Sequence, residues 1–137
     1  MSELLKPNSI LAIDFDGTCV AHEYPKIGRN IGSVSVLKDL VAAGHKLILW
    51  TMRSDGSMHG DMLTAAVNWF TENNIPLFGI QRNPTQDSWT SSAKAYAQLY
   101  IDDAALGAPL CSGLTGERPF IDWSKVREML LPETITN

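Results

Sequence analysis

The sequence has few of the side chains that bind soft metals or form disulfide scaffolds. It contains two cysteines, Cys19 and Cys111, and they do not stand at the short spacing of a metal site. Two thiols also make a poor disulfide framework for a chain of 137 residues, which is long enough to build its own core. We therefore expect both cysteines to be reduced, as in a cytoplasmic protein.

Long apolar runs and a strong excess of one charge are also missing. No stretch approaches the roughly 20 apolar residues of a membrane-spanning helix, and the opening MSELLKPNS has no signal-peptide core. The net charge of −4 gives no positive field for holding an extended nucleic acid. We expect a protein without membrane or long nucleic-acid partners, in which local groups bind any phosphate.

Short apolar runs alternate with helical patterns along a chain that is 45% hydrophobic and 19% charged, the composition of an ordinary folded domain. Runs typical of buried strands lie at 10–15, 47–50, 75–80 and 99–101. Helical patterns follow the expected capping residues Ser33, Asp61 and Asp122, and a further short helix is predicted within 91–98. This alternation predicts one α/β domain over residues 1–137, a three-layer α/β/α sandwich around a parallel, Rossmann-like sheet.

Polar side chains follow three of the predicted strands. Asp14 and Asp16 follow the first strand, Thr51 the second, and Asp102 and Asp103 the last. The carboxyl ends of parallel strands meet at one edge of a sheet, where ligands bind. Four carboxylates at that edge repel one another without a cation, and an all-oxygen ligand set suits Mg²⁺. The pattern therefore predicts a Mg²⁺ site and phosphoryl chemistry.

Four segments in this order resemble the four motifs of the haloacid dehalogenase superfamily. They are DFDGT at 14–18, the strand-end Thr51, Lys94 and the pair Asp102–Asp103. The first and fourth motifs are specific, and the resemblance covers residues 10–107. It implies a Mg²⁺-dependent phosphomonoester hydrolase that works through an aspartyl-phosphate intermediate.

The resemblance also implies a role for each matching residue. Asp14 would attack phosphorus, and Asp16 would protonate the leaving oxygen. An acid at that position needs a pKa above the roughly 3.9 of a free aspartate. Mg²⁺ would be bound by the Asp14 and Asp102 side chains and the backbone carbonyl of Asp16, with Asp103 either a further ligand or a residue that orients the ligands. The Thr51 hydroxyl would donate to the phosphoryl oxygens.

A positive side chain is needed to neutralise the aspartate and the phosphate. Lys94 is the lysine that lies between the second and fourth motifs. Arg53, two residues after Thr51, is the alternative, because its planar guanidinium suits a phosphate or a second anionic group. Gly17, Met52 and Arg53 are the expected substrate-binding residues.

Residues 19–32 correspond to a short flap in this superfamily. Its residues His22, Glu23 and Tyr24 either reach the substrate or are ordinary loop residues. The segments between the motifs leave no room for a cap domain, so the resemblance is to capless members. Their open sites accept phosphorylated proteins or nucleic-acid ends, or are closed by a neighbouring subunit. A small phosphate ester bound by a homo-oligomer is the other substrate hypothesis.

Two other functions use similar residues: a receiver-like phosphorylation switch and a catalytically idle module that binds phosphate or metal. In a receiver the acidic pair comes first and the phosphorylated aspartate follows the third strand, the reverse of the order here. An idle module would keep both Asp14 and Asp16 without using them. We therefore favour the phosphatase.

Overall fold

The computed structural model describes residues 5–131 and has an α/β fold. Residues 1–4, part of the opening stretch, and residues 132–137 lie outside the described part of the predicted domain. The elements are β1 (Ile10–Ile13), α1 (Ser33–Ala42), β2 (Lys46–Leu49), α2 (Met62–Glu72), β3 (Gly79–Ile80), β4 (Leu99–Ile101), β5 (Leu110–Cys111), β6 (Phe120–Ile121) and α3 (Trp123–Leu130).

Four strands form one parallel sheet in the order β3-β2-β1-β4, which confirms the predicted parallel α/β arrangement. Ile13 at the end of β1 is in register with Leu49 of β2 and with Ile101 of β4. The chain therefore leaves β1, β2 and β4 at the same level of the sheet. The residues that follow these strands lie together at one edge.

One buried apolar cluster joins the sheet to the helices. Phe15, directly after β1, is fully buried, and its ring packs edge-on against Trp69 at 5.6 Å between centroids. Because Phe15 is fixed in the core, its neighbours Asp14 and Asp16 face the other way, toward the sheet edge. The cluster includes Leu11, Ile13, Leu47, Leu49, Val36, Leu37, Leu40, Ala66, Phe70, Val126 and Leu130.

The helix predicted within 91–98 is absent, and this segment is an irregular loop. Its backbone groups bond to side chains instead of forming a helical ladder. The buried amide of Gln86 donates to the carbonyl of Lys94 (3.0 Å) and accepts from the Tyr96 N–H (2.6 Å). The Ser92 hydroxyl accepts from the Lys94 N–H (3.1 Å). Hydroxyl and amide side chains of this kind compete with helix formation.

The ends of the other elements differ from the sequence-based expectations in smaller ways. The third strand is confined to Gly79–Ile80, and the hairpin of β5 and β6 was not predicted. Ser33 is the first residue of α1 rather than its cap, and its hydroxyl donates to the carbonyl of Cys19 (2.7 Å). Asp61 precedes α2 without a capping hydrogen bond, whereas Asp122 caps α3 as predicted.

Within residues 5–131, no helix combines the length and the apolar character that crossing a bilayer requires.

The cap of α3 gives a test of the fold. Asp122→Ala removes the side-chain oxygen that accepts from the N–H groups of Ser124 and Lys125. We expect a loss of about 1 kcal/mol in the free energy of unfolding, measured by urea denaturation. Asp61→Ala is the matched control, because Asp61 has the same position at α2 without the capping bond, and its side chain accepts an exposed hydrogen bond from the Gly56 N–H outside the helix. An equal effect of both substitutions would contradict the assignment of the cap.

Candidate active site

A cleft of about 450 Å³ lies at the carboxyl edge of the sheet. It brings together most of the residues that the sequence predicts for the site. These are Asp14, Asp16, Thr51, Met52, Arg53, Asp102 and Asp103, and the cleft is completed by His22, Tyr24, Ala104 and Arg118. The cleft is open, and the Met52 side chain at its mouth is 97% exposed.

Three carboxylates converge at the base of this cleft. Asp14, Asp102 and Asp103 each offer one oxygen, and these oxygens lie within 4.8 Å of one another. Asp14 follows β1 and the other two follow β4, so the shared level of the strand ends produces the cluster. Three oxygen ligands at this spacing fit a divalent cation such as Mg²⁺.

Thr18 fixes two of these carboxylates and was not predicted as a site residue. Its buried hydroxyl lies 2.8 Å from Asp14 Oδ2 and 3.3 Å from Asp103 Oδ1, and it accepts from the Asp103 N–H at 3.1 Å. A tight turn, in which the Thr18 N–H donates to the Phe15 carbonyl (3.1 Å), folds this side chain back toward Asp14. The DGT turn was the available signal, because it places Thr18 four residues after Asp14.

Burial and neighbouring charge change the acidity of Asp14. Together these effects raise its pKa from 3.8 to about 7. Loss of hydration is the largest cause, the nearby Asp102 and Asp103 act in the same direction, and the hydrogen bond from Thr18 acts in the opposite direction. Asp14 therefore keeps its proton up to near neutral pH, and a bound cation would favour its ionised form.

The fourth carboxylate, Asp16, has a counter-ion within the protein. Arg53 Nε donates to Asp16 Oδ2 and Arg53 Nη2 donates to Asp16 Oδ1, both at 2.8 Å. The Arg53 side chain is 1% exposed and that of Asp16 is 21% exposed. The carboxylate of Asp16 is therefore held by Arg53 rather than grouped with the other three.

Arg53 also fastens the flap. Its remaining N–H groups donate to the carbonyls of Lys26 (2.8 Å), Pro25 (3.4 Å) and Met62 (3.3 Å). Its guanidinium carbon lies 4.9 Å from the ring centroid of Phe15 and 5.2 Å from that of Tyr24. Arg53 was predicted to bind substrate, but its donors are engaged within the protein, and it forms the wall of the cleft.

Thr51 is positioned by Gln81, a residue that was not predicted. The Gln81 side chain accepts from the Thr51 N–H (2.8 Å) and donates to the Thr51 carbonyl (2.6 Å). The Thr51 hydroxyl oxygen accepts from the Arg53 N–H (3.2 Å), which leaves its proton available to a ligand. Thr51 therefore presents a hydroxyl donor beside Asp14.

Two predicted residues lie outside the cleft lining. Lys94 belongs to the irregular loop, and its ammonium lies 5.6 Å from the ring centroid of Tyr100. Gly17 has a φ of +77°, and a Cβ there would lie 2.1 Å from His22 Cε1. The lack of a side chain at Gly17 therefore makes room for His22. The structure therefore does not place the ammonium of Lys94 among the residues that line the cleft with the carboxylates.

The flap residues differ in their positions. His22 Nε2 lies 3.2 Å from Asp103 Oδ2 and 3.1 Å from the Pro119 carbonyl oxygen. Tyr24 lines the cleft, whereas Glu23 is exposed and does not. Of the three candidates, His22 and Tyr24 are thus within the site.

The comparisons with known proteins identify a relative by its structure. No protein-family model matches the chain, and no curated protein matches it. The solved structure of a conserved protein from Bacteroides thetaiotaomicron is 32% identical, with a TM-score of 0.70, over 89% of this chain and 88% of that one. The chain belongs to the same family as that conserved protein. This relationship names no reaction, so the chemistry rests on the site residues.

The raised pKa of Asp14 predicts a pH-dependent stability. In the metal-free protein Asp14 keeps its proton up to a pKa of about 7, whereas the unfolded chain releases it near ~3.9. The folded state binds more protons between these values, so its stability falls as the pH rises through them. We expect the wild-type melting temperature to fall relative to Asp14→Asn by on the order of 5 °C from about pH 5 to pH 8.

Thermal unfolding in EDTA measures this difference directly. The asparagine keeps the shape of Asp14 and has no titratable group, so other pH effects cancel in the comparison. A difference that stays constant across the pH range would contradict the prediction.

The ion pair of Arg53 and Asp16 gives a second prediction. Arg53→Met leaves Asp16 without its counter-ion and frees the carbonyls of the flap. We expect a loss of about 3 kcal/mol or more in the free energy of unfolding, together with faster proteolysis within residues 19–32. The control is Arg127→Met at the exposed pair Arg127–Asp39, where the loss should stay below about 1 kcal/mol. Equal losses would contradict the role of Arg53.

Proposed function

We propose that the protein is a Mg²⁺-dependent phosphomonoester hydrolase of the haloacid dehalogenase type that acts through an aspartyl-phosphate on Asp14. The observation that carries this proposal is the convergence of the Asp14, Asp102 and Asp103 oxygens within 4.8 Å, beside Asp16 and Thr51 in one open cleft. A nucleophile, an acid, a hydroxyl donor and a set of oxygen ligands then surround the same space.

The proposed metal ligands are Asp14, Asp102 and Asp103, with the backbone carbonyl of Asp16. The raised pKa of Asp14 supports this assignment, because a cation removes the repulsion that opposes its ionisation. A bound Mg²⁺ would neutralise the carboxylates and polarise the phosphoryl group of the substrate.

In the proposed reaction an oxygen of Asp14 attacks phosphorus, and the bond from phosphorus to the leaving oxygen breaks. Thr18 supports this role, since its hydroxyl lies 2.8 Å from Asp14 Oδ2 and orients the carboxylate. The Thr51 hydroxyl donates to an oxygen of the transferred group. Water then cleaves the aspartyl-phosphate and regenerates Asp14.

Asp16 is the proposed acid for the leaving oxygen and the base for the attacking water. It lines the cleft and is partly exposed, so it is accessible to substrate and water. Each of its oxygens accepts a hydrogen bond from Arg53. Proton transfer therefore requires that one of these bonds be exchanged for a bond to the substrate.

The proposed architecture is a capless three-layer α/β/α sandwich in which the flap at 19–32 is the segment beside the cleft. The exposed Met52 and Tyr24 at the mouth support an open site for a phosphorylated small molecule or a macromolecular phosphoester end. Apolar side chains at that position also fit closure by a second copy of the chain. We propose a cytoplasmic location.

The test of this function is phosphate release by wild type and Asp14→Asn. The substrates are an aryl phosphate and a panel of sugar, nucleotide and nucleic-acid-end phosphates, with Mg²⁺ or EDTA. We expect metal-dependent turnover that falls by at least about 10³-fold in Asp14→Asn. Asp55→Asn is the matched control, since Asp55 is an exposed aspartate that bonds Thr64 outside the cleft.

Three results would contradict the proposal. They are absence of turnover on every substrate, turnover that survives in EDTA, and equal activity of both asparagine variants. A stable phosphate on the protein without turnover would instead favour the phosphorylation switch.

A further inference from the structure

Three basic side chains line the cleft, and two of them are engaged within the protein. Arg53 is committed to Asp16 and to backbone carbonyls. His22 lies against Asp103 and the Pro119 carbonyl. The third is Arg118, which lines the cleft and is exposed. Within residues 5–131, Arg118 has no hydrogen-bond or ion-pair partner.

The backbone on both sides of Arg118 is fixed to the flap side of the cleft. Its neighbour Glu117 accepts from Arg29 Nη2 at 2.8 Å, and this pairing lowers the pKa of Glu117 to about 2. On the other side, the Pro119 carbonyl contacts His22 Nε2. Arg118 is therefore held at the cleft by its neighbours, while its own side chain is free to meet a ligand.

A third observation ties this segment to the first motif. The N–H of Ile121 in β6 donates to the carbonyl of Gly17 at 3.1 Å. The guanidinium of Arg29 also lies 5.5 Å from the centroid of the Phe120 ring. The hairpin of β5 and β6 is thus attached to the turn that carries Asp14 and Asp16, and Arg118 lies in the segment that joins the two strands of this hairpin.

The chemistry of the cleft calls for a free guanidinium. A phosphate monoester brings two negative charges to a cleft that already holds four carboxylates. The ammonium of Lys94 lies over Tyr100, outside the cleft lining. A planar guanidinium binds two phosphate oxygens at once and stays charged at every working pH.

We propose that Arg118 is a substrate-binding residue whose guanidinium binds the phosphate of the substrate at the mouth of the cleft. It takes the place predicted for Lys94, although it comes from the hairpin after the fourth motif. This inference rests on the proposed phosphatase function and names the residue that recognises the dianionic phosphate.

The test compares Arg118→Ala and Arg118→Lys with the wild type. Two quantities are measured: the kinetics on an aryl phosphate with Mg²⁺, and the Kd of inorganic phosphate by calorimetry. For Arg118→Ala we expect KM and Kd to rise about tenfold, with kcat within about threefold. The KM and Kd of Arg118→Lys should lie between those of the wild type and of Arg118→Ala. Lysine keeps the positive charge but lacks the planar guanidinium that binds two oxygens at once.

Arg82→Ala is the matched control, because it also removes one exposed arginine but lies outside the cleft and pairs with Asp87. Its KM and Kd should equal those of the wild type. The melting temperature of Arg118→Ala should also be unchanged, since Arg118 has no partner to lose.

The outcomes separate this inference from the proposed function. If Arg118→Ala matches Arg82→Ala in both KM and Kd, the inference is wrong, and the Asp14→Asn result still decides the function. If the wild type has no turnover but Arg118→Ala weakens the binding of inorganic phosphate, the phosphate-binding role of Arg118 is supported and the proposed phosphatase activity is contradicted. If the wild type does not bind inorganic phosphate, Arg118 is not the recognition residue.

Discussion

The buried guanidinium of Arg53 is the constraint on which the arrangement of this site depends. An isolated charge inside a protein costs far more free energy than folding supplies, so each of its donors must find a partner. These partners come from Asp16 after β1, from Lys26 in the flap and from Met62 at the start of α2. Parts of the chain that are distant in sequence therefore take their positions from one side chain.

The same ion pair divides the four carboxylates into two kinds. Asp16 has a counter-ion supplied by the protein, and it stays accessible from the cleft. Among residues 5–131, Asp14 and Asp102 have no basic partner and Asp103 has only the imidazole of His22, while burial and the neighbouring carboxylates raise the pKa of Asp14. This asymmetry fits two different tasks, since a group that exchanges protons with substrate and water does better outside a shared metal cluster. It also explains why four similar side chains at one sheet edge do not behave alike.

The parallel sheet and its carboxylates were predictable because they depend on local signals. Runs of apolar residues identify the buried strands in the sequence. The carboxyl ends of parallel strands lie at one edge of the sheet, independent of the conformation of the loops. The prediction of a helix over 91–98 was wrong because the side chains of Gln86 and Ser92 form hydrogen bonds with the backbone there. Hydrophobic periodicity carries no information about such bonds. Thr18 and Arg118 were missed for a related reason. Thr18 contacts Asp103, 85 positions away, and the position of Arg118 at the cleft depends on the pairing of Arg29 with Glu117, 88 positions apart.

Charge balance explains why a hairpin after the last motif can complete the site. The cleft holds four carboxylates and the two guanidinium groups of Arg53 and Arg118. One divalent cation at the proposed site would bring these groups, when ionised, to neutrality, so that a dianionic phosphate could enter without net repulsion. Without Arg118 the metal-loaded cleft would keep a negative charge that opposes such a substrate. The position of that arginine in the sequence matters little, because the ties of Glu117 and Pro119 to the flap bring it to the cleft.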